Sequence, residues 1–243
     1  MKRIVQVVFG LGSGRCGTQS LAAWLNTQEG AIVTHESRGP AITWNSAEGM
    51  IDQVLHEFYS SPQARLIGDV ASYYLPYVEH ILAAQPTARF ICLKRDRGET
   101  IASFLTKTLH KNHWIEHDGA RWKHTPWDRC FPKYAESDKA AAIGRYWDDY
   151  YRQAATLEAR HPSAFRVFLT AALNEAKGQH AILDFLSIPM QSRRLAVGLR
   201  LNKSRPQGIR RLLVHVMDMV PGRSAAGRHV LGGPRCDESR RAA

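Results

Sequence analysis

The sequence predicts an α/β domain in which a central, mostly parallel sheet is flanked by helices in three layers. Short apolar runs rich in β-branched residues alternate four times with segments of helical periodicity, within about 110 residues. This alternation is typical of parallel sheets, because each parallel strand needs a crossover connection. Such sheets bind ligands beyond the carboxyl ends of their strands, so motifs at those ends carry the functional interpretation.

The first strand is predicted at residues 3–9 (RIVQVVF), an apolar run that Gly10 closes. Leucines and Trp24 then recur at helical spacing over residues 18–26, so the chain reads as strand, glycine loop and helix. The same criteria predict further strands at residues 31–34 and 65–70, with a helix at 47–59 between them.

In the second half, a helix is predicted at residues 75–84, followed by a strand at 89–94 and another helix. Residues 111–139 interrupt the alternation with aromatic residues, histidines and prolines, a length typical of lids and substrate loops. The last predicted elements are a long helix at 139–160, a strand at 165–169 and a helix at 175–186.

Composition and charge limit the class of protein. Of the 243 residues, 44% are hydrophobic and 23% charged, which is ordinary globular usage. The formal net charge is +11, and residues 204–243 carry eight arginines against three acidic residues. That end lacks apolar periodicity, so we expect residues 1–203 to form one domain and residues 204–243 a basic, poorly ordered tail.

The chain shows no targeting or membrane signal, because no apolar run approaches the roughly 18–20 residues of a membrane span. The four cysteines, Cys16, Cys92, Cys130 and Cys236, are scattered without CxxC spacing. We therefore expect a cytoplasmic protein with no membrane span, no disulfide framework and no cysteine zinc site.

The loop from Gly10 to Thr18 (GLGSGRCGT) joins the first strand to the first helix. Its glycines allow a ligand to approach the backbone closely. Its amides lie at the N-terminus of a helix, a position that favours the binding of anions. The loop therefore predicts a phosphate-binding cradle rather than a simple turn.

Three kinds of phosphate site fit this loop to different degrees. A nucleoside triphosphate loop has suitable glycine spacing at Gly12 and Gly17, but Thr18 takes the lysine position, which disfavours a kinase or NTPase. A dinucleotide site would use the GxGxxG pattern, with Glu36 on a ribose. A phosphosulfate site would use the Arg15 guanidinium as a clamp on its 5′ side.

A second anion-binding pair follows the strand at 89–94. Arg95 lies at the end of that strand, and Ser103 lies eight residues later, two turns into the next helix, so both side chains can reach one anion. Each also has a simpler interpretation, a surface ion pair between Arg95 and Asp96 and a serine that bonds its own helix backbone.

Taken together, GSGRCGT and the Arg95–Ser103 pair resemble the two donor-binding motifs of sulfotransferases that use 3′-phosphoadenosine-5′-phosphosulfate (PAPS). In that family, an arginine at a strand end and a serine eight residues later grip the 3′-phosphate. The resemblance covers about residues 1–203, and the chain is similar to bacterial sulfotransferase family proteins. This resemblance implies a P-loop-like fold with PAPS as co-substrate. The cofactor-binding residues that it implies are Ser13, Gly14, Arg15, Cys16, Gly17, Thr18, Gln19, Arg95 and Ser103. The loop departs from steroid and phenol sulfotransferases, which carry lysine at the position of Arg15.

The resemblance implies in-line sulfuryl transfer to a hydroxyl or amine, a reaction that needs positioning and charge stabilisation and no metal. Arg15 is the expected catalytic cation, and Glu36 is preferred over His35 as the base, as in glycosaminoglycan-type members. Other candidates for the base are Asp69 and the loop histidines His110, His113, His117 and His124, whose spacing does not match a metal motif such as HExxH.

The expected partner is a small-molecule or carbohydrate acceptor, with no nucleic acid. Trp114, Trp122 and Trp127 could stack on such an acceptor, although packing against the core is favoured. The competing interpretations are an NAD(P)-dependent oxidoreductase that uses the GxGxxG loop and a non-catalytic nucleotide-binding module.

Overall fold

A computed structural model describes residues 5–60 and 64–198 of the chain. The expected tail at residues 204–243 lies outside the described residues. The five strands are β1 (Gln6–Leu11), β2 (Ala31–His35), β3 (Leu66–Val70), β4 (Arg89–Lys94) and β5 (Phe165–Leu169). They form one sheet in the order β2-β3-β1-β4-β5, and every neighbouring pair is parallel. The predicted α/β class is confirmed.

Helices connect the strands on both faces of this sheet. They are α1 (Thr18–Leu25), α2 (Glu48–Tyr59), α3 (Val78–Ala84), α4 (Arg97–Lys107), α5 (Lys139–Arg160) and α6 (Ala176–Phe185). The bounds of α5 are those predicted from periodicity, and its Asp138 side chain caps the helix by accepting from the Ala141 N–H. In the described parts of the chain, no helix is both long and apolar enough to cross a membrane.

Successive side chains of β1 point to opposite faces of the sheet, and the core accordingly has two layers. Val7, Phe9 and Leu11 point to one face, where they pack with residues of α2, α3 and α5. Val8 points to the other face and packs with residues of α1 and α6. The three-layer arrangement follows from these two separate clusters of buried side chains.

Two predicted boundaries are wrong for local reasons. The first strand continues through Gly10 to Leu11, and a side chain at Gly10 would lie 2.6 Å from Val70 of β3 and 3.0 Å from Leu21 of α1. Gly10 therefore lets the helical layer approach the sheet instead of ending the strand. The helix expected at 75–84 is α-helical only at Val78–Ala84 and follows a 3-10 helix at Ser72–Tyr77, in which Pro76 has no N–H to donate to the preceding turn.

Residues 108–138, called the connecting segment below, join α4 to α5 and contain a 3-10 helix at Pro126–Cys130. Trp114 is fully buried and packs against Phe104, Phe131 and Tyr146, which confirms the packing interpretation for this tryptophan. The long loop is therefore a packed part of the domain.

The connecting segment is also tied to the loop that follows β2. Arg129 Nε donates to the carbonyl of Pro40 at 2.9 Å, and the Trp44 N–H donates to the carbonyl of Arg129 at 2.8 Å. Trp127 packs over Gly39, where a side chain would clash with the indole ring at 2.2 Å. These contacts hold the segment against the carboxyl-end loops of the sheet.

Candidate functional site

The predicted cradle lies at the carboxyl end of the central strand β1, between β1 and α1. Gly12, Gly14 and Gly17 have φ values of 149°, 88° and 93°, in a region that favours glycine. A side chain at Gly14 would lie 2.8 Å from the Phe104 ring, and one at Gly12 would lie 2.8 Å from a backbone carbonyl. The glycines are thus required by backbone conformation and by space.

Two tyrosines of α5 hold the start of this loop from the core side. The Gly12 N–H donates to Tyr150 Oη at 2.9 Å, and the Ser13 N–H donates to Tyr151 Oη at 3.4 Å. Tyr151 in turn donates to the carbonyl of Leu93 on β4 at 2.7 Å. Burial raises the pKa of both tyrosines, so they remain neutral donors and acceptors. Sequence reasoning missed this pair, whose only signal is two adjacent tyrosines in a long helix.

Ser13 and Cys16 point into the protein rather than toward a ligand. Both side chains are fully buried, and burial raises the pKa of Cys16 to about 11. The Thr170 hydroxyl donates to the carbonyl of Cys16 at 2.8 Å and so ties the loop to the end of β5. The structure therefore exposes neither of these two predicted binding residues to a ligand, whereas Gln19 is exposed on α1.

The structure brings together the three side chains that carry the resemblance. Arg15 Nε donates to Ser103 Oγ at 3.0 Å, and Arg95 Nη1 donates to the carbonyl of Arg15 at 3.0 Å. Burial, and then the positive charge of Arg95, lower the pKa of Arg15. A half-buried guanidinium with a second cation near it is a position that a bound anion stabilises.

Of the simpler interpretations, the surface ion pair of Arg95 is found with a different acidic partner, and the serine bonded to its own helix is not found. Asp96 is the N-cap of α4, since its carboxylate accepts from the Glu99 N–H at 2.9 Å. Arg95 pairs with Glu99 instead, at 2.8 Å. Ser103 contacts Arg15, 88 residues away, so its hydroxyl connects the two motifs.

The end of β2 brings His35 and Glu36 to the same edge. His35 Nε2 lies 3.1 Å from Thr18 Oγ1, the hydroxyl at the start of α1, and His35 Nδ1 lies 3.9 Å from Glu36 Oε2. Glu36 is half-buried, and burial raises the pKa of its carboxyl, although the nearby His35 and Arg15 oppose the rise. A carboxyl with a raised pKa binds a proton more readily than an ordinary glutamate does.

Asp69 is fully buried and its oxygens are occupied. It accepts from Thr34 Oγ1 at 2.7 Å, from Tyr74 Oη at 2.9 Å and from the Ser37 N–H at 3.3 Å. These donors come from the end of β2, from the 3-10 helix after β3 and from the residue after Glu36. Asp69 therefore positions the loop that carries Glu36, a role that its place in the sequence did not indicate.

The strand order bears on the competing dinucleotide interpretation. In a dinucleotide-binding fold of the 3-2-1-4-5-6 type, the second strand is the direct neighbour of the first and places an acid on the ribose. Here β3 lies between β1 and β2, so Glu36 follows a strand that is one position further away. This arrangement disfavours the ribose-binding role of Glu36.

Comparison with known proteins places the fold among sulfotransferases. No protein-family model matches the chain, and no curated protein sequence matches it. A sulfotransferase from Alicyclobacillus acidocaldarius is similar over 87% of this chain and 90% of its own, with a TM-score of 0.50 and 14% identity. A sulfotransferase domain from the curacin biosynthetic pathway is similar over 77% of this chain and 76% of its own, with a TM-score of 0.53 and 14% identity. The predicted P-loop-like fold and the likeness to sulfotransferases, at the level of the fold, are confirmed.

Proposed function

We propose that this protein is a PAPS-dependent sulfotransferase. The observation that carries the proposal is the meeting of Arg15, Arg95 and Ser103, which come from two separate motifs, at one edge of the sheet. A nucleotide with phosphate groups at both the 5′ and the 3′ position needs two anion-binding positions close together. NAD has no phosphate on a ribose hydroxyl and would leave the second position empty, whereas NADP has a 2′-phosphate rather than a 3′-phosphate.

In this proposal the cradle and Arg15 bind the phosphosulfate, while Arg95 and Ser103 bind the 3′-phosphate. Arg15 Nε donates a hydrogen bond to the Ser103 hydroxyl at 3.0 Å. When PAPS binds, Arg15 exchanges this neutral partner for charged oxygens of the phosphosulfate. Hydrogen bonds to charged oxygens are stronger than those to a hydroxyl, which favours the exchange. Arg15 then stabilises the negative charge that develops on the transferring group and on the leaving phosphate.

The transfer step joins an acceptor oxygen or nitrogen to the sulfur as the bond from sulfur to the 5′-phosphate oxygen breaks. The acceptor proton passes to the carboxylate of Glu36, and 3′,5′-adenosine diphosphate leaves. His35 is the second candidate for the base, because it lies between Thr18 and Glu36. We infer a small-molecule or carbohydrate acceptor, which the likeness of the fold to sulfotransferases supports.

Calorimetric titration with 3′,5′-adenosine diphosphate, adenosine 5′-monophosphate, NAD+ and NADP+ tests the proposal. We expect the bisphosphate to bind most tightly, because only it has a 3′-phosphate. Arg95→Ala and Ser103→Ala should reduce its affinity to that of the monophosphate. Arg97→Ala is the matched control, since Arg97 is a neighbouring arginine engaged in a surface ion pair with Asp148. Binding of NAD+ or NADP+ without binding of the bisphosphate would refute the proposal and favour the oxidoreductase.

A further inference from the structure

Outside the cradle, histidines of the connecting segment gather around one carboxylate, that of Asp128. His113 Nδ1 lies 2.6 Å from Asp128 Oδ1 and forms a hydrogen bond with it. His117 Nε2 and His124 Nδ1 approach the other oxygen, Oδ2, at 3.9 Å and 3.8 Å. Both distances are too long for hydrogen bonds, so these two rings face the carboxylate without binding it.

His117 is the unusual member of this group. Its side chain is 6% exposed, yet neither ring nitrogen has a hydrogen-bond partner among the described residues. A buried polar group without a partner costs about 1–3 kcal/mol, so such groups call for an explanation. The ring stacks on His124 with centroids 4.4 Å apart, which brings two imidazoles together next to a carboxylate.

We propose that His117, His124 and Asp128 form a binding site for Zn2+. One ligand atom from each residue lies within 4.8 Å of the other two. Ligand atoms around a tetrahedral zinc ion are about 3.3 Å apart, given metal–ligand bonds of about 2.0–2.1 Å. Shifts of about 1 Å in side chains of a loop are therefore enough to close the site.

The chemistry of the three residues suits zinc. Two imidazole nitrogens and one carboxylate oxygen are borderline ligands that zinc accepts, and water supplies the fourth position. His113, bound to the second oxygen of Asp128, orients the carboxylate as outer-shell partners of metal sites do. Lys133 binds the backbone carbonyl of Asp128 at 2.6 Å, so its ammonium group is engaged on the main chain.

The backbone also supports the site. Gly119 has a φ of 87°, and a side chain there would lie 2.8 Å from the His124 ring, so glycine lets that ring lie against the main chain. Asp128 belongs to the 3-10 helix whose Arg129 is bonded to the loop after β2. A metal ion would thus link residues 117 and 124 to the part of the connecting segment that packs beside the carboxyl-end loops.

Titration of the metal-free full-length protein with Co2+ and then with Zn2+ tests this site. We expect the visible absorption bands of four-coordinate Co2+ to saturate at one equivalent and to disappear when Zn2+ is added. A hundredfold excess of free Zn2+ over its Kd should raise the Tm by about 5–10 °C. A spectrum of six-coordinate Co2+, or no change in Tm, would overturn the proposal.

Two variants separate metal binding from folding. His117→Phe keeps a buried ring but removes both nitrogens, so its Tm in a chelator should equal or exceed that of the original protein. His124→Ala changes an exposed side chain. Both should weaken zinc binding by more than the roughly 10–100-fold that outer-shell partners contribute.

The matched control is His110→Ala, an exposed histidine at the start of the same segment, which should retain the site. Unchanged zinc affinity and stoichiometry in both His117→Phe and His124→Ala would refute the assignment. Donor binding is measured separately in the same variants, so failure of this site is distinguishable from failure of the sulfotransferase proposal.

Discussion

The guanidinium group of Arg15 carries most of the proposed chemistry, and its environment explains why. It is half-buried, it lies close to Arg95, and burial lowers its pKa. These conditions make a bound anion more favourable, because the anion offsets both the burial cost and the repulsion between the two arginines. The same side chain joins the two motifs through Ser103.

Replacing Arg15 should therefore reduce turnover more than stability. We expect Arg15→Ala to lower kcat by about 10²–10³-fold, the usual effect of removing one donor to developing charge. Arg15→Lys should keep part of the activity, because it retains the charge but loses the planar set of donors. Single-turnover kinetics with PAPS and thermal unfolding of each variant measure the two effects. A large fall in Tm with unchanged kcat would contradict the expectation.

Glu36 provides a second prediction at this level. Burial raises its pKa, so the folded protein binds a proton on this carboxyl more tightly than the unfolded chain does. Ionisation of Glu36 at neutral pH therefore lowers the free energy of unfolding, and Glu36→Gln should unfold at the same or a higher temperature at pH 7. Because the base is lost, transfer should fall by about 10²–10⁴-fold.

The pH profile identifies the base. Activity should rise with pH as Glu36 loses its proton. This rising limb of the pH–rate profile should lie at a higher pH than the pKa of an ordinary glutamate would give. His35→Gln keeps Glu36 and should keep this limb, whereas Glu36→Gln should abolish it. If His35→Gln removes the limb instead, the histidine is the base.

At the level of the elements, the glycine loop needs residues that adopt positive φ values and that have no side chain to clash with its neighbours. Gly14 has a φ of 88° and lies against the Phe104 ring. Gly14→Ala should destabilise the protein by about 1–3 kcal/mol, since it combines an unfavourable φ with a clash, and it should weaken binding of 3′,5′-adenosine diphosphate. Gly49→Ala in α2, where a side chain would meet nothing within 4 Å, is the control. That change should raise stability by about 0.5–1 kcal/mol, as measured in urea.

The loop after β2 depends on Asp69 in a comparable way. Asp69→Asn places an amide where several donors converge, so one of them loses its acceptor. We expect a loss of about 1–3 kcal/mol in the free energy of unfolding, together with lower turnover because Glu36 shifts. Urea denaturation and kcat are measured on the same preparation. Equal stability of the variant would show that the buried network does not need the charge.

For the whole molecule, ligand binding and stability are linked. A hundredfold excess of 3′,5′-adenosine diphosphate over its Kd should raise the Tm by about 5–10 °C, since the ligand binds only the folded protein. Arg95→Ala should lose this shift at the same ligand concentration, and Arg97→Ala should retain it. A shift of the same size in Arg95→Ala would place the bound nucleotide elsewhere.

Local sequence patterns are sufficient for the strands, the helices and the cradle. The alternation of apolar runs predicts a parallel sheet because hydrophobic period and backbone geometry are properties of adjacent residues. The glycine loop is recognisable for the same reason, since Gly12, Gly14 and Gly17 lie within six residues. The spacing of Arg95 and Ser103 is also a local pattern, because Arg95 directly follows β4 and Ser103 lies in α4. The contact of Ser103 with Arg15 is not local, since 88 residues separate them.

Long-range packing is required for the remaining features. Tyr150 reaches Gly12 across 138 residues, and Asp69 collects donors from three elements. The gathering of His117 and His124 at Asp128 likewise follows no recognised spacing. Such contacts depend on how close the folded layers bring distant segments, and the local hydrophobic period does not encode that distance. Short stretches of the sequence therefore determine the class of fold. The hydrogen-bond partners of the buried polar groups are decided only by the tertiary packing of the layers.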